Sequence, residues 1–453
     1  TISVRNIITS MRLANDVDWR DLFERMSLVH EVLAAANSYF QADFATRDQY
    51  RGAVEQIARG AKRSELEIAR GATAATDKAS ANSRLSDPGY FLISGGRPAF
   101  ERAIGYRAPI ETWAGRIVRS LGIGGYITAG AIVSAGLLAI PLWLLAQVGV
   151  DWRWLAGLGI LGAVPAIDAA VALVNYLLTR GLRATLLPSV ELADGIPDDL
   201  RTIVVVPTLL TSQEAIEEQV ERLEVHHLSS PKGEIYFALL SDWTDAASEH
   251  AEGDEELLAA AAEGISALNR KYGAAKAGQR FTLLHRRRVW TESEGKWIGW
   301  ERKRGKLNEL NELLRGSKTT TFVSLDGKPV DAPPGIRYVI TLDADTRLTL
   351  NAVRRLIGKM AHPLNRARLD PQKQRVVEGY AILQPRVTPS MPVGREATPF
   401  LRVFSSMTGI DPYAAAASDV YQDLLGEGSY TGKGIYDVDA FRAALANRIP
   451  PSS

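Results

Sequence analysis

The chain has 453 residues, with 53 Lys and Arg against 52 Asp and Glu and no cysteine. A length of this order suggests about three structural units, and a hydrophobic fraction of 46% is enough to build full cores. The missing cysteine excludes a disulfide scaffold, thiolate metal ligands and a cysteine nucleophile, and a net charge of +1 lacks the basic excess of a nucleic-acid binder.

The first residues, Thr1-Ile2-Ser3-Val4-Arg5, hold neither a Met start nor an apolar signal core, and the last, Pro450-Pro451-Ser452-Ser453, do not read as a domain end. The expectation is a piece of a longer protein. Asp18 to Met26 repeats apolar residues at three- and four-residue spacing, and Val54 to Ala69 does the same with Ser64-Glu65-Leu66-Glu67 on a polar face; both predict amphipathic helices. Gly71 to Ser86 is small and polar and reads as a linker. Tyr90-Phe91-Leu92-Ile93 reads as a short strand or a surface anchor. Nothing in this stretch carries chemistry, so residues 1–115 are expected to be a helical packing domain.

From Ser120 to Val150 no residue carries a formal charge, and from Trp154 to Thr179 only Asp168 does. Each run, as a helix, is long enough to cross a hydrocarbon core of about 30 Å. Asp151-Trp152-Arg153 alone separates them, so residues 116–184 are expected to be a transmembrane helical hairpin in contact with lipid. Arg102, Arg107, Arg116 and Arg119 precede it and Arg180 and Arg183 follow, whereas the tip holds only Arg153. The basic flanks predict a cytoplasmic location for both ends. Asp168 is expected to pair with membrane helices outside this chain.

Residues 185–453 alternate β-branched apolar runs with helical segments, the α/β pattern. The predicted strands are Ile203–Thr208, Ile235–Asp242, Phe281–Leu284 and Tyr338–Leu342; helices are expected over Ser212–His226, Glu255–Tyr272 and Lys303–Arg315. The last strand runs into Thr341-Leu342-Asp343-Ala344-Asp345-Thr346. In an extended segment Asp343 and Asp345 point the same way, and two adjacent carboxylates call for a hard cation, Mg2+ or Mn2+, completed by phosphate oxygens. This is the Asp-x-Asp arrangement of nucleotide-sugar glycosyltransferases. Thr208 ends the first strand, at the edge of a nucleotide pocket. Asp242 ends the second, where a carboxylate accepts from a uracil N–H or a ribose hydroxyl. Lys303-Arg304-Gly305-Lys306-Leu307-Asn308 opens a helix whose N-terminus and basic side chains, Lys303 first, can hold a diphosphate, with Asn308 a further binding candidate.

Gly426-Glu427-Gly428-Ser429-Tyr430-Thr431-Gly432-Lys433-Gly434-Ile435-Tyr436 is glycine-rich but matches neither a Walker loop nor a dinucleotide fingerprint. It reads as a backbone floor under a sugar and its diphosphate. The six histidines form no zinc pattern, and no serine-hydrolase elbow occurs. The run His285-Arg286-Arg287-Arg288 reads as a solvated or lipid-headgroup-facing patch.

Thr341 to Thr346, Lys303 to Asn308 and above all Gly426 to Phe441 resemble the glycosyltransferase domain of bacterial cyclic β-1,2-glucan synthases. The resemblance extends to Tyr90–Gly96 and Ile7–Leu13. It implies a multi-pass enzyme of the bacterial inner membrane with a cytoplasmic α/β GT-A (Rossmann-like) glycosyltransferase domain at residues 185–453, cut short at its C-terminus. The implied donor is UDP-glucose and the implied acceptor a growing β-1,2-glucan on a protein-bound oligosaccharide. Further transmembrane helices and a phosphorylase-like domain would belong to the full-length protein, and nucleic acid is not an expected partner. Other processive synthases of the cellulose-synthase kind, or a non-catalytic subunit that only binds nucleotide sugar, are the alternatives. Within the resemblance, a metal on Asp343 and Asp345 neutralises the departing diphosphate, with help from Lys303. The base of this class would lie beyond Ser453, with Asp411, Asp419 and Glu427 as stand-ins. Tyr413 is the expected glucan attachment site, with Tyr421, Tyr430 and Tyr436 as competitors.

Overall fold

The computed structural model describes residues 2–76, 84–109, 113–181, 186–325, 330, 332–370, 372–385, 430 and 432–445. They fall into two compact units. One joins the residues up to 106 with 187–385 and 430–445; the other contains the long helices of 107–186.

In the first unit the N-terminal part is helical. Its core is built from Leu33, Tyr39, Tyr50, Val54, Ile57, Ile68, Ala69, Leu92 and Phe100. The helix expected over Val54–Ala69 is two helices, Phe44–Ala61 and Glu65–Thr76. Lys62 takes a left-handed conformation, φ 54°, and ends the first. Ser64 and Glu67 form a capping box that starts the second: Ser64 N–H donates to the Glu67 carboxylate (3.1 Å) and Glu67 N–H to Ser64 Oγ (3.3 Å). The expected linker at Gly71 is still helix as far as Thr76, because Ala69 and Ala72 bury one face of it. Tyr90–Ile93 is neither strand nor anchor. It belongs to the helix Pro88–Ile93, capped by Asp87, whose Oδ1 accepts from Gly89 N–H at 2.7 Å.

This helical part packs on the α/β part through backbone as well as side chains. Asp43 N–H donates to Ser189 O (2.9 Å), Glu191 N–H to Gln41 O (2.8 Å) and Ser189 N–H to Thr46 Oγ1 (2.8 Å). Beneath them lies a buried polar cluster. Tyr50 OH donates to Asp87 Oδ1 at 2.8 Å, and His362 Nε2 stands 3.7 Å from Asp87 Oδ2. Burial raises the Asp87 carboxyl to about 6, against the lowering effect of the Tyr50 and Gly89 hydrogen bonds, and burial lowers His362 to about 3.

The α/β part is a six-stranded sheet in the order β3-β2-β1-β6-β10-β9. Strands β1 (Thr202–Leu210), β2 (Ile235–Trp243), β3 (Phe281–Arg286) and β6 (Tyr338–Thr341) are parallel. Strand β10 (Gly434–Asp437) runs antiparallel to β6 and to β9 (Ile382–Leu383). Two small hairpins lie outside the sheet, β4 (Val289–Thr291) with β5 (Lys296–Ile298) and β7 (Arg368–Asp370) with β8 (Arg375–Glu378). Helices Gln213–Leu228, Asp254–Tyr272 and Ala352–Ala361 contribute to the core on one face; Arg302–Leu313 and Val438–Leu445 contribute on the other. A parallel sheet covered on both faces explains the unbroken apolar runs of β1 and β2. This mixed architecture is compatible with an α/β glycosyltransferase.

The second unit holds two long apolar helices, Trp113–Gln147 and Trp152–Gly181. Their stretches Leu121–Gln147 and Trp152–Leu178 are long and apolar enough to cross a membrane. They pack on each other where Gly159 and Gly162 face Leu142 and Leu138, with Tyr126 OH donating to Asn175 Oδ1 at 3.0 Å. Ile127, Ile132, Ile160, Leu161, Val164 and Asp168 stay exposed. Two such helices are compatible with a membrane protein.

The Asp87 cluster sets a pH dependence. A carboxyl raised in the folded state favours folding below its unfolded value near 3.8 and loses that contribution as pH rises to about 6. His362 acts oppositely, losing its contribution as pH falls from 6.5 towards 3. Asp87→Asn removes the compensating proton uptake, so between pH 6 and pH 4 the variant should lose roughly 2 kcal/mol more stability than the wild type. Urea denaturation curves at the two pH values measure this.

Candidate active site

The carboxyl ends of β1, β2, β3 and β6 converge on one edge of the sheet, the place where open parallel sheets bind ligands. Asp343 leaves β6 there. The segment after it does not stay extended: Asp343 N–H donates to Thr346 Oγ1 (3.2 Å) and Thr346 N–H to Asp343 O (3.0 Å), which closes a tight turn. Arg222 holds the Ala344 carbonyl from the neighbouring helix. Asp343 is therefore half-buried, and Asp345, at the turn, is exposed.

Both oxygens of Asp343 are engaged. Lys303, in the first turn of the helix Arg302–Leu313, hydrogen-bonds Oδ1. Lys433, between Gly432 and Gly434, reaches Oδ2 at 2.8 Å. Burial alone would raise the Asp343 carboxyl, but the two ammonium groups outweigh it and hold it below the ordinary range. Lys433 is raised chiefly by its bond to Asp343, with the charge of Asp345 adding to the effect. Lys303, Lys433, Asp343 and Asp345 thus form one constellation.

The glycine-rich segment is fixed to the same strand end. Thr341 Oγ1 lies 2.7 Å from Tyr430 OH and donates to Gly432 O at 2.9 Å. Gly432 has φ +86°, and a Cβ there would stand 3.1 Å from Lys303 Nζ; at Gly434, φ +140°, it would stand 2.4 Å from Leu383 O. Glycine is required at both for the backbone to approach this closely.

Asp242 lies at the end of β2 but faces the interior. Arg286, its register partner on β3, donates from Nε to Oδ1 (2.8 Å) and from Nη2 to Oδ2 (3.0 Å), and Lys306 Nζ lies 2.9 Å from Oδ2. Burial would raise this carboxyl, yet the two cations keep it lowered. Lys306 also donates to Thr208 O (3.0 Å) and Leu240 O (2.9 Å), and burial lowers it to about 8. Arg286 further binds Trp300 O (2.9 Å), Arg302 O (3.0 Å) and Glu309 (3.3 Å). Thr208 enters this network through its carbonyl. Asn308 is half-buried on the helix that carries Lys303 and Lys306.

The basic run is not the solvated patch its composition suggested. His285, Arg286 and Arg288 are buried, and Arg287 alone is exposed. Arg288 pairs with Asp254 (3.1 Å to Oδ1), and His285 Nδ1 lies 2.8 Å from Ser241 Oγ, with burial lowering the imidazole to about 4. The acids that compensate these arginines are far away in sequence, so the run reads as solvated when taken alone. Lys306, expected with its neighbours to hold a diphosphate, is instead buried on Asp242 and the carbonyls of Thr208 and Leu240; sequence reasoning gave Lys433 no role, although a lysine framed by glycines was the available signal.

Among the described residues no group of three or more His, Asp or Glu is arranged to hold a metal ion. Asp343 and Asp345 are two hard oxygen donors, a set that fits Mg2+ or Mn2+ only when substrate phosphate oxygens complete the shell. Tyr413, Asp411, Asp419, Tyr421 and Glu427 lie outside the described residues.

Removing Arg286 leaves the buried Asp242 with Lys306 alone and takes a partner from Glu309 as well. Arg286→Met should therefore cost about 3–5 kcal/mol, read as a lower urea midpoint. Lys433→Met, at the half-exposed pair, should cost less than about 1 kcal/mol in the same assay.

No family model matches the chain. The cyclic beta-(1,2)-glucan synthase NdvB of Rhizobium meliloti (strain 1021) is 44% identical to it over 455 residues. That match takes in 99% of the chain and 16% of the relative's length. The chain is thus homologous, along nearly its whole length, to one segment of a cyclic beta-(1,2)-glucan synthase, as the resemblance of its motifs implied.

Proposed function

We propose that this chain is the GT-A glycosyltransferase part of a membrane-bound cyclic β-1,2-glucan synthase, transferring glucose from UDP-glucose to a growing glucan. The observation that carries the reading is the Asp343–Asp345 turn at the carboxyl edge of the parallel sheet, with two lysines on Asp343. Charge of both signs is gathered where a sugar diphosphate would lie.

UDP-glucose is an α-glycoside, and a β linkage requires one displacement with inversion. The acceptor oxygen forms a bond to the glucose anomeric carbon and loses its proton to a base. The bond from that carbon to the diphosphate breaks, and its electron pair leaves with UDP. Lys303 and Lys433 stabilise the charge that grows on this leaving group. A divalent ion held by Asp343 and Asp345 would add further neutralisation there. Thr208 borders the nucleotide, and Asn308 lies along the diphosphate. Asp242 acts through Arg286 and Lys306, which fix the strand ends beneath the donor.

The two apolar helices form a transmembrane hairpin in the bacterial inner membrane, with the α/β part in the cytoplasm and lipid around their exposed faces. Asp168 pairs with further membrane helices supplied, like a phosphorylase-like domain, by the rest of the full-length protein. The glucan grows on a tyrosine, Tyr413, whose phenol ionises more easily than a serine or threonine hydroxyl.

Asp345→Asn should reduce UDP release from UDP-glucose by about a hundredfold or more, measured with Mg2+ on membranes carrying the full-length protein. A wild-type rate in that variant would remove the reading. Peptide mass spectrometry of the active enzyme should find hexoses on Tyr413; hexoses confined to another residue would move the attachment site.

A further inference from the structure

We propose that Lys303 and Lys433 are a two-pronged anion clamp which Asp343 occupies until a diphosphate arrives, so that divalent cation and nucleoside diphosphate each tighten the binding of the other. This rests on the reading of the edge as a nucleotide-sugar site.

The prongs come from different elements, a helix start and a glycine-framed turn before β10, yet end on the two oxygens of one carboxylate. Their approach is close: a Cβ at position 432 would stand 3.1 Å from Lys303 Nζ, so the glycine there gives the Lys303 side chain room. The pairs are also open. The side chains of Lys303, Lys433 and Asp343 are 32%, 23% and 34% exposed, against 0% and 5% for Arg286 and Asp242. The interior pair is locked, whereas ion pairs of this exposure exchange readily.

Charge then dictates the order of events. Two ammonium groups and two carboxylates leave the edge neutral. A divalent ion arriving alone meets both ammonium groups and an Asp343 already compensated. A sugar-linked diphosphate carries one negative charge on each phosphate, so with its divalent ion it is neutral and fits without repulsion. Its phosphate oxygens take over Lys303 and Lys433, and both oxygens of Asp343 become free for the ion. Each partner therefore strengthens the binding of the other by one shared factor.

The test uses the full-length protein in detergent, with Mn2+ followed by electron paramagnetic resonance and UDP by calorimetry. In the wild type, saturating UDP should tighten Mn2+ binding about tenfold or more, and Mn2+ should tighten UDP equally. Lys433→Gln should bind Mn2+ several-fold more tightly than wild type without UDP, and UDP with Mn2+ about tenfold less tightly. Lys433→Arg should keep the wild-type pattern. A merely structural lysine would lower the unfolding temperature without tightening Mn2+. If Lys433→Gln does not fold, Lys303→Gln makes the same comparison. Mn2+ affinity indifferent to UDP, or a Gln variant no tighter for Mn2+, overturns the clamp while wild-type UDP binding preserves the proposed function. A wild type that binds no UDP overturns both.

Discussion

The fully buried guanidinium of Arg286 is the constraint on which the functional edge depends. Taking a charge out of water costs several kcal/mol unless partners surround it, and here they do: Asp242 in two-point contact, Glu309, and the carbonyls of Trp300 and Arg302. Those carbonyls lead into the first turn of the helix that bears Lys303. Lys306, one turn on, anchors that helix to Thr208 and Leu240 at the ends of β1 and β2. The position of Lys303 at the open edge is therefore inherited from a closed network underneath it.

Asp242 and Asp343 end two parallel strands with β1 between them, and each meets two cations. Their environments separate their roles. Asp242 is sealed, its partners cannot leave without exposing a bare charge to the interior, and it acts as architecture. Asp343 is open to solvent and to ligands, so its partners can be exchanged.

The alternation of strand and helix in 202–342 was legible because buried parallel strands are written as continuous β-branched runs, and the observed β1, β2, β3 and β6 lie within two residues of those expectations. Asp343 at a strand end was legible for the same reason. Strand β10 was not, since its glycine-framed start reads as loop, and pairing with β6 and β9 makes it a strand. The turn at 343–346 depends on a side-chain bond from Thr346, so the expectation of an extended Asp-Ala-Asp did not foresee it. Arg286 finds Asp242 at a separation of 44 residues, a distance at which spacing carries no information. The break at Lys62 was written in Ser64 and Glu67, whose spacing signals a helix start as well as a polar face.

The helical part up to Tyr106 and the α/β part from Leu187 complete one folded body, bridged by Asp43–Ser189 and by Tyr50, Asp87 and His362. The two apolar helices are thus an insertion within a single folding unit. If they traverse a bilayer, the parity of the crossings is imposed: the polypeptide must return to its starting leaflet for the halves to join. During synthesis the N-terminal part must wait, its Tyr50–Asp87 pair still without His362, until the ribosome has released the insertion and the segment around Ser189 and His362.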